Sequence, residues 1–252
     1  METLKWLRSE GCPWNKKACS YAAEAGHFEI LKWLRSEGCP WDASACEWAA
    51  KGGHLEVLKW LRSEGCPWDA GACNGAARGG HLEVLKWLRS EGCPCDYTEL
   101  YGTVAWYGEL EILKWLRSEG CPWDEETCRC ATEMGHLNVL KYAHENGCPW
   151  DERTCEEAAK RGDFDMLKYA HENGCPWDER TCEEAAKRGD LDVLKYLHEN
   201  GCPWNEDTIH SAARGYYDFH DDLDVLRWAI DNGCPYEVNE YTREALQELG
   251  LA

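Results

Sequence analysis

Residues Asp151–Asp163 read D-E-R-T-C-E-E-A-A-K-R-G-D, and Asp178–Asp190 repeat them letter for letter 27 positions later. Around this pair a shorter signature, G-C-P-W or a near variant, begins at Gly11, Gly38, Gly65, Gly92, Gly120, Gly147, Gly174, Gly201 and Gly233. Its spacings are 27, 27, 27, 28, 27, 27, 27 and 32. A fixed period in the range of about 20–50 residues marks a tandem array whose units cannot bury their apolar faces alone and must stack.

The unit Pro40–Gly65 shows what is stacked. Asp42 is a helix N-cap, and Ala43–Lys51 runs without Gly or Pro until Gly52-Gly53. With that cap, Trp41 and Cys46 occupy the two positions of a hydrophobic staple. Ala45, Cys46, Ala49 and Ala50 share one face and are small enough for close helix approach, while Ser44, Glu47, Trp48 and Lys51 share the other. A second helix is predicted from His54 to Glu64. Its apolar residues Leu55, Val57, Leu58, Trp60 and Leu61 cover more than half the wheel, as expected of a helix covered on two sides. Gly65, Cys66 and Pro67 then read as a Schellman C-cap, with Cys66 reaching back to Leu61. Each unit is helix, tight turn, helix, short loop.

At this point a family resemblance appears. Ala49–Leu61, A-A-K-G-G-H-L-E-V-L-K-W-L, resembles the A-A-x-x-G-H-x-E-I-V-x-L-L core of ankyrin repeats. The period of 27 rather than 33 implies loss of most of the β-hairpin finger, and T-C-E-E or A-C-E-W stands where the family has T-P-L-H. Short, Cys/Trp-rich units of this kind look like the divergent ankyrin arrays of giant DNA viruses and some protists. The resemblance implies an all-α, ankyrin-like helix–turn–helix solenoid of about nine stacked repeats. It also implies a non-enzymatic scaffold that binds a protein partner on its first-helix, concave face. The expected organisation is a single domain over 1–252: a partial repeat at 1–10, repeats beginning near 11, 38, 65, 92, 120, 147, 174 and 201, and a closing half-repeat at 233–252.

Composition narrows the alternatives. The 252 residues carry 47 acidic and 27 basic side chains, a net charge of -20, which repels nucleic-acid phosphate and anionic lipid. Residues 1–119 contribute -3 and residues 120–252 contribute -17, so a basic partner is expected toward the C-terminal half. No run of about 18 apolar residues is present to span a bilayer. Met1–Trp6 has no apolar signal region, so an intracellular, most simply cytoplasmic, location is expected, in the host if the protein is viral. In such a reducing setting cysteines serve packing, metal or catalysis rather than disulfides. A monomer is expected.

The 17 Cys and 15 Trp are the compositional oddity. The repeat fixes 15 of the Cys and 13 of the Trp, leaving Cys95, Cys130, Trp48 and Trp106 outside the pattern. No cofactor or metal is expected. C-x-C spacings at Cys93/Cys95 and Cys128/Cys130 have no nearby second pair, and structural zinc needs one. The alternatives are a Cys-based metal or redox protein, or a passive spacer. Catalysis has no unique nucleophile–base pair, because Ser, His and carboxylates recur by slot. His27, His54, His81 and His136 hold a turn position where Asp163 and Asp190 replace them, which reads as capping. Candidate partner contacts are Tyr21, Glu47, Trp48, Asn74 and Arg78 on the first helices. Trp106 and Tyr107 in the irregular fourth unit join them, as do Tyr216, Tyr217 and Phe219 in an insertion read as a contact loop at 215–222.

Overall fold

The computed structural model describes residues 1–219, 223–240 and 242–251, with Tyr217, Asp218 and Phe219 described by their backbone alone. Among the described residues there are 18 helices and no strand. They fall into two compact units, Met1–Trp123 and Asp124–Ala252.

The first unit opens with α1 (Glu2–Ser9), followed by the pairs α2 (Lys16–Glu24) and α3 (Phe28–Ser36), then α4 (Ala43–Lys51) and α5 (Leu55–Ser63). Next come α6 (Ala70–Arg78) and α7 (Leu82–Ser90), then α8 (Tyr97–Tyr107) and α9 (Leu110–Ser118). The second unit contains α10 (Glu125–Met134) and α11 (Leu137–Glu145), α12 (Glu152–Arg161) and α13 (Phe164–Glu172), α14 (Glu179–Lys187) and α15 (Leu191–Glu199). It ends with α16 (Glu206–Phe219), α17 (Asp224–Asp231) and α18 (Arg243–Glu248). In each unit the first helix of a pair packs on its own second helix and on the first helices of the neighbouring pairs. This is the stacked, all-α repeat architecture that the period predicts.

Element boundaries follow from local chemistry. Asp42 accepts the Ser44 amide at 3.1 Å and starts α4. Gly65, at φ +77°, ends α5. The Cys66 amide donates to the Leu61 carbonyl at 2.9 Å and the Gly65 amide to Arg62 at 3.0 Å, the two bonds of a Schellman cap. Ala45, Cys46, Ala49, Ala50, Val57, Leu58 and Leu61 are all buried.

Small residues set how closely first helices approach. Ser20 and Ser44 share a hydroxyl–hydroxyl bond of 2.8 Å between α2 and α4. Between α4 and α6 the gap closes further, because a Cβ on Gly75 would overlap the Glu47 carbonyl oxygen. Gly75→Ala therefore sets a helix-propensity gain of about 1 kcal/mol against a clash with backbone, where overpacking costs about 1–3 kcal/mol or more. Since no side chain can swing away, the clash wins. Urea unfolding should show a lower midpoint; a raised midpoint would mean that α4 and α6 separate freely.

Three local expectations are corrected. The histidines do not cap: the His54 side chain makes no cap bond to α5 and instead its Nε2 donates to the Glu24 carbonyl of the preceding repeat at 2.9 Å. Where Asp replaces His, Asp163 and Asp190 do cap, accepting the Met166 and Val193 amides at 3.1 and 3.2 Å. In the first of those repeats the inter-repeat tie passes to Arg161, whose Nη1 donates to the Glu133 carbonyl at 2.8 Å. Residues 215–219 of the insertion are no loop, since they lengthen α16 to 14 residues; residues 220–222 lie outside the described residues. The closing half-repeat expected at 233–252 supplies only the short helix α18. Thr242 Oγ1 donates to the Glu237 carbonyl and Asn239 Oδ1 accepts the Thr242 amide, so local side-chain bonds replace the first helical turn.

Candidate functional site

The outward slots of the first helices are the surface to which the sequence pointed. In the first unit α2 and α4 present Tyr21 and Trp48 side by side, their rings edge-to-face with centroids 6.3 Å apart. Tyr21 is 58% exposed, and Lys51 lies over the Trp48 ring at 4.6 Å while pairing with Glu24 at 3.1 Å. Lys16 and Lys17 border the same shallow cavity of about 290 Å³. Lys16 bonds Asp42 at 2.5 Å, and that contact together with Ser44 holds the Asp42 carboxyl below the usual range. Glu47 is partly covered, and burial pushes its carboxyl up despite Arg78 at 3.4 Å.

Asn74 is a correction. It is 4% exposed, buried where its outward slot predicts solvent. Gly71 and Gly75 on the same helix carry no side chains to hold α4 away, so α4 closes over that position. In the fourth repeat Tyr107 is 48% exposed and Trp106 half-buried. The Tyr216 hydroxyl donates to Glu248 at 2.8 Å, so that ring is tethered to α18. The side chains of Tyr217 and Phe219 lie outside the described residues.

The second unit offers a different surface. Glu183, Asp207, Glu240 and Glu244 border a cavity of about 740 Å³ together with His210 and Arg214. Burial, then the charge of Asp207, pushes the Glu183 carboxyl up. Along α10, Arg129 pairs with Glu126 and Glu133, so the irregular Cys130 beneath them is covered.

Most of the repeat-fixed cysteines and tryptophans are internal fittings, Cys12 and Trp6 in the first turns of the chain being exposed. Among the described residues seven loop thiols reach the carbonyl of the preceding repeat's N-cap residue, including Cys66 to Asp42 at 3.4 Å, Cys175 to Asp151 at 3.3 Å and Cys202 to Asp178 at 3.3 Å. First-helix Cys46 also hydrogen-bonds Cys66, and that bond with burial pushes the Cys46 thiol far up. The Cys46 thiol therefore stays protonated and unreactive. Tyr101 fills the same slot in the fourth repeat, its hydroxyl donating to the Cys121 carbonyl at 3.1 Å.

Loop tryptophans are clamped from two sides, a pairing the staple reading missed. Trp41 meets Trp60 edge-on at 5.8 Å and lies under the Arg35 guanidinium at 4.2 Å. In the second unit His takes the Arg place: His171 stacks on Trp177 at 3.6 Å, and Trp177 meets Tyr196. The sequence signal was available, because Arg35 and Trp41 keep a constant spacing of six that His171 and Trp177 share.

Among the described residues no group of three or more His, Cys, Asp or Glu gathers to hold a metal, and no helix is long and apolar enough to cross a membrane. One cysteine expectation fails: Cys73 and Cys95 form a disulfide.

No curated protein matches the chain. The family model for ankyrin repeats (many copies) matches residues 19–62, 46–89 and 155–198. Those segments cover paired helices in both units, from α2–α5 and α4–α7 to α12–α15, with the helix–turn–helix geometry and Schellman loop described above. Residues 19–89 and 155–198 are therefore ankyrin repeats.

Proposed function

We propose that this chain is a non-enzymatic scaffold that binds a protein partner on the first-helix face of its repeats. Ankyrin repeats generally mediate protein–protein interaction and are typically not enzymes. Tyr21 and Trp48 carry the reading for this chain. Two large aromatic rings, one of them mostly exposed, sit outside the repeat's internal clamps and beside a cavity edged by lysines. Aromatic residues with this exposure dominate interface energetics. Glu47, Arg78 and Tyr107 extend the proposed contact surface, whereas Asn74, once covered, contributes by shaping α6. The acidic surface around Glu183 and Asp207 favours a basic stretch of the partner at the second unit. The protein is read as an intracellular monomer.

Tyr21→Ala with Trp48→Ala should weaken partner capture by about 30-fold or more, the equivalent of one interface anchor of ~2 kcal/mol. Neither ring belongs to the core, so the thermal midpoint should stay in place. Affinity capture with quantitative mass spectrometry, run on both proteins, checks this. Equal recovery of the same partner by the double variant would remove that surface from consideration.

A further inference from the structure

Cys95 occupies the position that holds the loop tryptophan in seven other repeats, Trp14, Trp41, Trp68, Trp123, Trp150, Trp177 and Trp204. Its absence dismantles the clamp. Arg35, Arg62 and Arg117 lie over their loop indoles at 4.2, 3.8 and 4.5 Å. Arg89, the equivalent residue, instead pairs with Glu119 at 3.2 Å and donates to the Cys121 thiol at 3.7 Å. The loop preceding α8 is held covalently, through the Cys73–Cys95 bond to the middle of α6.

The bridge also departs from the cysteine pattern. First-helix cysteines elsewhere pair as thiols with the loop cysteine twenty positions on: Cys46 with Cys66, Cys128 with Cys148, Cys182 with Cys202. For Cys73 that partner would be Cys93. Cys93 keeps the ordinary loop role, donating to the Asp69 carbonyl at 3.4 Å, and burial pushes its thiol up to about 11. The extra sulfur, Cys95, takes Cys73 instead. Cys95 is half-exposed, while Cys73 and the paired thiols are buried. A small thiol can therefore reach one sulfur of this bridge and none of the paired thiols.

We propose that Cys73 and Cys95 form a reversible redox site, opened and closed by a small thiol–disulfide couple of the glutathione type, which fastens or frees the loop ahead of α8. This does not depend on the binding role proposed above. In the reducing direction a glutathione thiolate attacks Cys95 Sγ, the Cys73–Cys95 bond breaks, and Cys73 leaves as a thiolate that takes a proton. A second glutathione thiolate then attacks the mixed disulfide and releases Cys95. Two glutathiones become one glutathione disulfide, and two electrons and two protons enter the protein. Oxidation by glutathione disulfide is the reverse.

The full chain equilibrated across glutathione buffers, quenched in acid, then alkylated in denaturant and weighed, tests the site. The alkylated count should step once, from 15 thiols to all 17, with the change mapped to the Cys73 and Cys95 peptides. Cys95→Ser should keep every remaining cysteine free at all ratios. Amide exchange at the start of α8, Tyr97–Tyr101, should quicken by about tenfold or more on reduction, as expected for a segment that loses its tether. The proposal is overturned by any of these results: 17 thiols throughout, 15 throughout with the fold intact, a count below 15, a bridge to Cys93, or unchanged exchange.

Discussion

Reducing the Cys73–Cys95 bridge is expected to lower the stability of residues 1–123 by about 3 kcal/mol. The bond closes a loop of 22 residues. Tying the ends of a loop of that length removes denatured-state entropy equivalent to ~3 kcal/mol in the chain-entropy estimate. Arg89 has no loop indole to cover and lies over the Tyr97 ring at 5.7 Å instead, a contact too weak to replace the bond. Urea unfolding followed by tryptophan fluorescence, with and without reductant, should show the lower midpoint in the first unit. Cys95→Ser should sit at the reduced value under both conditions. Cys95→Trp restores the residue that the other repeats use. It should become insensitive to reductant and regain about 1 kcal/mol over Cys95→Ser, the usual size of a cation–π contact at a half-exposed site. A native protein whose midpoint ignores reductant would show that the loop is held by something other than this bond.

Much of this architecture is legible from the period and from short-range chemistry. The Asp42 cap, the Gly65 Schellman turn and the Ala45/Ala49 face depend on residues within one turn of each other, and all were found where the sequence puts them. What escaped depends on how one repeat meets the next. His54 reads as a cap locally, but its partner is the Glu24 carbonyl 30 residues earlier, which only the stacking geometry brings near. Asn74 lies in an outward slot on a helical wheel, but the glycines beside it let α4 close over it. The 215–219 insertion reads as a loop because insertions in arrays commonly are, and Gly215 supports that reading locally, although the α16 ladder continues through it. Cys95 stood out as irregular. Its pairing with Cys73 rather than Cys93 needed the distance between α6 and the loop. Of the candidate contacts, Tyr21 and Trp48 remain the strongest because their outward exposure follows from α2 and α4 alone.

Leu58→Ala is expected to cost about 2–5 kcal/mol, the range for removing a fully buried leucine from a packed interior. Leu58 is 0% exposed in α5. The truncation therefore opens a void with no residue free to fill it, since Ala49 and Ala50 are already minimal and the facing helices are fixed by backbone contacts through Gly52. Leu4 occupies the corresponding place in α1, the first leucine of the shared L-K-W-L-R, but α1 contains no buried residue. Its truncation removes only part of one interface and should cost less than about 1 kcal/mol. In a nearest-neighbour stack the energy of a residue depends on how many faces of its repeat are covered. An interior leucine is covered from both sides and the α1 leucine from one. Measuring both variants by urea unfolding isolates this term, because residue type, helix position and flanking sequence L-K-W-L-R are shared. Equal losses at the two positions would show that stability here comes from within each helix pair, and the stacked description of the first unit would have to be abandoned.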